Sequence, residues 1–192
     1  MRLLIVDDHA AVRAGLVALL RAEPGFVVTG VARAVSEALF KCRHAAPDVA
    51  LVDYHLPDGD GLELCRELKR LPRAPGVMVY SAFADSEVAL SALLAGADGL
   101  LDKASPANEL FEGLRAVARG HSVMPAVERE ARATLASQLD RQDLPILSMV
   151  IDQTDAGDMA EVLGIGEEEL DQRPTRMLER LKTWPRGRGE GS

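Results

Sequence analysis

Five polar side chains in the first half of the chain could act together. Asp7, Asp8, Asp53, Ser81 and Lys103 each follow a short apolar run: "RLLIV", "DVALVD", "GVMVYSA" and "GLLDK". If those runs are neighbouring strands of one parallel sheet, three carboxylates, one hydroxyl and one ammonium meet at a single edge. Packed carboxylates repel, and their pKa values rise unless a cation sits among them. A hard divalent ion with oxygen ligands, Mg²⁺ above all, relieves that repulsion. It also neutralises charge on an incoming phosphoryl group, whose oxygens a lysine and a hydroxyl can then hold. The chemistry implied is transfer of a phosphoryl group onto a carboxylate. Asp53 is the best acceptor, because it stands alone beyond the central strand, and Asp7 and Asp8 are better placed to hold metal. Any one of these residues could merely end a strand. All five at strand ends leave that bland reading weak.

The elements that must position them can be read from residues 1 to about 120. Apolar runs at 2–6, 26–31, 48–53, 76–82 and 99–103 read as strands. Amphipathic stretches at 10–21, 36–44, 62–71, 86–94 and 105–119 read as helices, with Gly96 and Gly120 closing the last two. Strands alternating with helices imply right-handed crossovers and a doubly wound, five-stranded parallel sheet covered on both faces. Function in such sheets collects at the carboxyl ends of the strands. "LPDGDG", after the third strand, reads as a turn cluster.

Residues 123–138 read as a partly helical linker, 139–182 as a small all-α unit, and the Gly-rich 183–192 as a disordered tail. The 192 residues carry a net charge of −8. Residues 1–122 hold 16 acidic and 13 basic side chains, whereas 139–182 hold 11 acidic and 5 basic. That is the wrong sign for holding a phosphate backbone. Cys42 and Cys65, without metal-ligand spacing, read as reduced core thiols of a cytoplasmic protein. The apolar run before Asp7 is too short for a signal peptide or membrane span.

"LLIVDDH", "VALVDYHLPDGDGLEL", "VMVYSA" and "LLAGADGLLDKASPANEL" together resemble the receiver domain of two-component response regulators. "DDHAAVRAGL" and "GADGLLDKASP" resemble the NarL/FixJ branch, over residues 1–122. The resemblance implies Asp53 as phosphoacceptor and a histidine kinase as donor. It implies Mg²⁺ held by Asp8, Asp53 and the backbone carbonyl of His55, with Asp7 acting largely through water, and Lys103 and Ser81 as the phosphoryl clamp. His9 could be a ligand or base but reads better as a rim residue. A phosphorylation-dependent homodimer also follows from the branch. One position departs: many receivers carry an aromatic three residues before the lysine, and here that residue is Leu100.

Residues 139–182 resemble the LuxR-type helix-turn-helix domain of the same branch. The apolar skeleton fits without gaps, through Leu139, Ile146, Leu147, Met159, Leu163, Leu170, Met177, Leu178 and Leu181. The polar pattern does not. Where the family's recognition helix opens with hydroxyl and basic residues, this chain has Glu167, Glu168, Glu169 and Asp171. Acids in a first turn suit the helix dipole but repel DNA phosphates. Pro174 removes a donor inside that helix and should kink it or cost about 3 kcal/mol. Pro145 is easier to place if the unit's first helix starts near Asp143. Arg173, Arg176 and Arg180 form a stripe that could hold phosphates, or could be a solvated face paired with Glu169 and Glu179. The expectation is a signalling switch with weakened or lost DNA binding, acting through protein contact or dimerisation. A DNA-binding regulator with a variant helix-turn-helix is the alternative. No nucleophile–base pair or nucleotide loop supports an enzyme beyond its own phosphoryl turnover.

Overall fold

The computed structural model describes residues 1–182, except the side chains of Glu167, Asp171, Leu181 and Lys182. The tail expected to be disordered, 183–192, lies outside the described residues. Two compact units divide between Ala126 and Val127.

The first unit carries strands β1 (Arg2–Val6), β2 (Val27–Ala32), β3 (Val49–Asp53), β6 (Gly76–Ser81) and β7 (Gly99–Asp102) in one parallel sheet, ordered β2-β1-β3-β6-β7. The small strands β4 (His55–Leu56) and β5 (Gly59–Asp60) pair antiparallel outside it. Helices α1 (Ala10–Ala22), α2 (Val35–Ala45), α3 (Gly61–Lys69), α4 (Ser86–Leu94) and α5 (Ala107–Ala118) make the crossovers. β1 and β3 lie inside the sheet and are covered on both faces, so their apolar runs are continuous rather than alternating. Leu3, Ile5, Leu51 and Met78 pack under Leu16 and Leu20 of α1 and Leu110 and Leu114 of α5. β2 shifts register between its partners Leu3 and Leu4, where the Thr29 hydroxyl donates to the Leu3 carbonyl at 3.0 Å.

Helix starts follow local chemistry. Asp60 caps α3 and Asp85 caps α4 through their carboxylates, each taking up N–H groups that the first turn leaves unpaired. The unit runs past the expected limit at residue 122. Val123 forms a parallel bridge with Gly99, its N–H donating to the Asp98 carbonyl at 2.8 Å and its carbonyl accepting from Leu100 N–H at 2.9 Å. That bridge covers the exposed edge of β7.

The second unit holds α6 (Arg129–Ala136), α7 (Leu144–Ile151), α8 (Ala156–Leu163) and α9 (Glu167–Lys182). The segment expected as a linker is therefore divided, with α6 packing into this unit through the buried Leu135. Ile146, Leu147, Met159, Leu170, Met177 and Leu178 complete its core. α7 starts at Leu144, so Pro145 falls in the first turn, where its missing N–H costs little. α8 ends at Gly164, whose φ of 63° closes the helix in the left-handed conformation. α9 continues across Pro174.

Candidate functional site

The sheet order brings the carboxyl ends of β1, β3, β6 and β7 side by side, and the expected residues meet there. Asp53 ends β3 and is 4 % exposed, Asp7 follows β1 at 1 %, and Ser81 ends β6 at 3 %. Lys103 follows β7, and its Nζ lies 2.8 Å from Asp53 Oδ2 and 2.9 Å from Asp7 Oδ2. One ammonium thus bridges two buried carboxylates. Burial, the largest influence, raises the Asp53 carboxyl above its ordinary value. Lys103 opposes this by hydrogen bond and charge, while neighbouring Asp7 adds to it. Burial works to lower Lys103, but its bonds to Asp53 and Asp7 outweigh that and leave the ammonium above its usual value.

Ligand atoms of Asp7, Asp8, His9 and Asp53 all lie within 4.8 Å of one another. This is an oxygen-rich set of the kind a hard divalent cation takes. Three carboxylates served by one ammonium leave excess negative charge for such an ion to offset. His9 sits at the rim, its side chain 67 % exposed, with Nδ1 2.6 Å from Asp8 Oδ1. Its backbone N–H donates to Asp7 Oδ1 at 2.8 Å, and Arg13 donates to the Asp7 carbonyl at 2.6 Å, so the start of α1 orients the acidic loop.

The Ser81 hydroxyl accepts from Phe83 N–H at 3.2 Å, and the Ser81 carbonyl accepts from Lys103 N–H at 2.7 Å. Hydroxyl and lysine are therefore joined through backbone. Leu100 is buried on β7, paired in register with Val79. Sequence reasoning passed over three supporting residues. Tyr80 donates its hydroxyl to the Lys103 carbonyl at 3.3 Å, and the Lys103 ammonium lies 5.7 Å from its ring centre. Gly61 donates to the Tyr54 carbonyl at 2.8 Å, and a Cβ there would come within 2.1 Å of the Asp53 carbonyl oxygen. Asp58 accepts from Val35 and Ser36 at the start of α2. "GDG" signals only a turn, and nothing local names Asp58's partners.

In the second unit, two arginines of the expected stripe are engaged within the unit. Arg173 Nη1 lies 2.8 Å from the buried Asp143, and Nη2 lies 2.7 Å from Glu169. Arg180 lies 2.7 Å from Asp140. Arg176 is exposed and donates to Gln172 at 3.2 Å. Glu169 was an expected partner; Asp140 and Asp143 come from the segment before α7.

A sheet of this order, with a buried carboxylate at the end of its central strand and a lysine bonded to it, defines the receiver class of signalling module. The chain belongs to that family: residues 3–115 match the response regulator receiver domain. It is a two-component response regulator, and its relatives are of the NarL/LuxR group. It is 33 % identical to the DNA-binding transcriptional activator DevR/DosR of Mycobacterium tuberculosis, over 94 % of this chain and 88 % of that protein. It is 28 % identical to the transcriptional regulatory protein LiaR of Bacillus subtilis, over 94 % and 90 %. Among solved structures, a LuxR-family two-component response regulator from Aurantimonas sp. SI85-9A1 matches with a TM-score of 0.63 and 31 % identity, covering 70 % of this chain and 97 % of that one. RcsB of Salmonella enterica bound to a promoter shares the fold across 94 % of this chain and 91 % of that one, at a TM-score of 0.62 and 18 % identity. Receiver domains bind Mg²⁺ at their acidic pocket, and response regulators work with histidine kinases. Among the described residues, no helix is long and apolar enough to cross a membrane.

Proposed function

We propose that Asp53 is the phosphoacceptor, taking its phosphoryl group from a histidine kinase. The observation that carries this is Lys103 bridging buried Asp53 and Asp7 at the carboxyl edge of the sheet. In the transfer, an Asp53 oxygen bonds to phosphorus as the bond to the donor's histidine nitrogen breaks, and the electron pair leaves with the imidazole. Mg²⁺ held by Asp8, Asp53 and the His55 carbonyl, with Asp7 acting through water, would offset charge on the phosphoryl oxygens. Lys103 then exchanges its bond to Asp53 Oδ2 for one to a phosphoryl oxygen, and the Ser81 hydroxyl donates to another. Lys103 is already bonded to Asp53, which supports this role, because its ammonium need move little to follow the charge. Later attack by water on phosphorus restores the carboxylate and ends the signal. A small-molecule phosphodonor with Mg²⁺ should label the wild-type chain and leave Asp53→Ala unlabelled; equal labelling of both defeats the assignment.

For the output, the reading is a helix-turn-helix unit that keeps its core but has weakened or lost DNA binding, and acts through protein contact or a phosphorylation-dependent homodimer. Arg173 and Arg180 support it, because phosphate contacts would compete with Asp143, Glu169 and Asp140 for them. The alternative is a phosphorylation-dependent DNA-binding regulator. It draws on DevR/DosR, a relative described as a DNA-binding activator that matches most of this chain. A salt-titrated duplex-binding assay on the phosphorylated full-length chain separates them. Tight binding that weakens steeply with salt supports the alternative; no binding at physiological salt supports the first.

A further inference from the structure

Helix α2 begins without a cap of its own. Ala34 occupies the N-cap position, with extended backbone and no side-chain acceptor. The opening donors are met from elsewhere in the chain. Asp58 Oδ1 accepts from Val35 N–H at 2.7 Å, and Oδ2 accepts from Ser36 N–H at 3.2 Å and from the Ser36 hydroxyl at 3.1 Å. Its charge also suits the positive end of the helix.

Asp58 stands at the tip of the β4–β5 hairpin, in which His55 pairs with Asp60 and Leu56 with Gly59. The tip also packs on the helix: a Cβ on Gly59 would lie 3.1 Å from Val35 Cγ2. The base is tied separately, because Asp60 accepts from Glu63 N–H at 2.6 Å and Gly61 donates to the Tyr54 carbonyl. His55 lies between these two anchors, its own N–H 3.4 Å from Asp53 Oδ1.

We propose that Asp58 is a positioning residue for the metal site: by capping α2 it holds the hairpin tip in place and so aims the His55 carbonyl at the cation. This rests on the Mg²⁺ ligation given under Proposed function. Asp58 touches neither metal nor phosphoryl group and acts through the hairpin. Its removal should therefore affect two separable quantities, the start of α2 and the affinity for Mg²⁺.

The test measures Mg²⁺ affinity by calorimetry and thermal stability on the full-length chain, for wild type, Asp58→Asn, Asp58→Ala and the double variant Ala34→Ser/Asp58→Ala. The serine gives α2 a local cap without restoring the tether. The expected result is lower Tm and roughly tenfold weaker Mg²⁺ binding for Asp58→Ala, as for other outer-sphere partners of metal ligands. Asp58→Asn, which keeps one acceptor oxygen, should fall between it and wild type. The double variant should regain Tm but not Mg²⁺ affinity. Wild-type affinity in Asp58→Ala, or affinity recovering with Tm in the double variant, overturns the inference and leaves the metal site standing. A wild-type chain that binds no Mg²⁺ overturns both.

Discussion

Gly61→Ala should be destabilising and should damage phosphoryl transfer more than stability. The added Cβ would sit 2.1 Å from the Asp53 carbonyl oxygen and 3.0 Å from the Tyr54 Cα. Reaching even a tight 3.0 Å contact needs about 1 Å of movement. The atoms in the way are backbone, so no side chain can rotate aside. Overpacking of this kind costs about 1–3 kcal/mol. Gly61 does not have positive φ, so alanine fits its backbone conformation and gains about 0.4–1 kcal/mol by restricting the unfolded chain. The balance is a net loss of about 1–2 kcal/mol, or roughly 3–10 °C in Tm for a unit of this size. The same movement would displace the Asp53 backbone and shift its carboxylate relative to Lys103, and a 1 Å misplacement at a reacting group can cost about 100-fold in rate. Gly15→Ala is the control. Gly15 lies in α1 with nothing within 4 Å of its would-be Cβ, so alanine there should stabilise by roughly 0.5–1 kcal/mol. Thermal unfolding and phosphodonor labelling read both effects. If Gly61→Ala is as stable as wild type and is labelled at the same rate, the steric argument is wrong.

Other expectations concern separate parts of the molecule. Lys103→Met removes the ammonium shared by Asp7 and Asp53; labelling by a small phosphodonor should slow by about 100-fold or more, by analogy with loss of a preorganised charge-stabilising group, and a near-normal rate would remove Lys103 from the clamp. Glu37 is held below the usual carboxylate range by its bond to Lys41 and by Arg33 N–H, which outweigh burial. A depressed folded pKa gives stability that is present above the unfolded value and lost as pH falls through the folded one. Wild type should therefore exceed Glu37→Gln by roughly 0.3–0.5 kcal/mol at neutral pH, as for exposed i,i+4 pairs. The gap should close below pH ~4, and one that widened in acid would contradict the assignment. Cys65 is fully buried, donates to the Ala95 carbonyl at 3.3 Å, and is pushed up to about 12 by burial. It should resist alkylation in the folded chain at pH 8 and react on unfolding; fast native labelling would show that the α3 core opens.

The five strands and the edge carrying Asp7, Asp53, Ser81 and Lys103 were legible because each signal is local: an apolar run ending in a polar residue. The core of the second unit was legible for the same reason, through the spacing of Ile146, Leu147, Leu170, Met177 and Leu178. What stayed hidden depends on partners distant in the chain. Asp58 in a turn cluster reads as a turn residue, and only the fold brings it to Val35. The little β4–β5 hairpin is likewise too short to show a strand period. Val123 follows a helix-closing glycine and reads as the start of a linker until the edge of β7 is seen beside it. The arginines of α9 looked like a surface stripe because helical spacing predicts Glu169 and Glu179 as partners, whereas Asp140 and Asp143 lie 40 and 30 residues away from Arg180 and Arg173. Pro174 lies inside α9, which continues across it as a helix.

The most direct measurement is to phosphorylate the full-length chain with a small phosphodonor and Mg²⁺, trap the acyl phosphate by borohydride reduction, and locate the reduced residue by peptide mass spectrometry. Modification of Asp53 alone, abolished when Mg²⁺ is chelated, is the predicted result. Modification at another residue, or undiminished modification without a divalent cation, would contradict it.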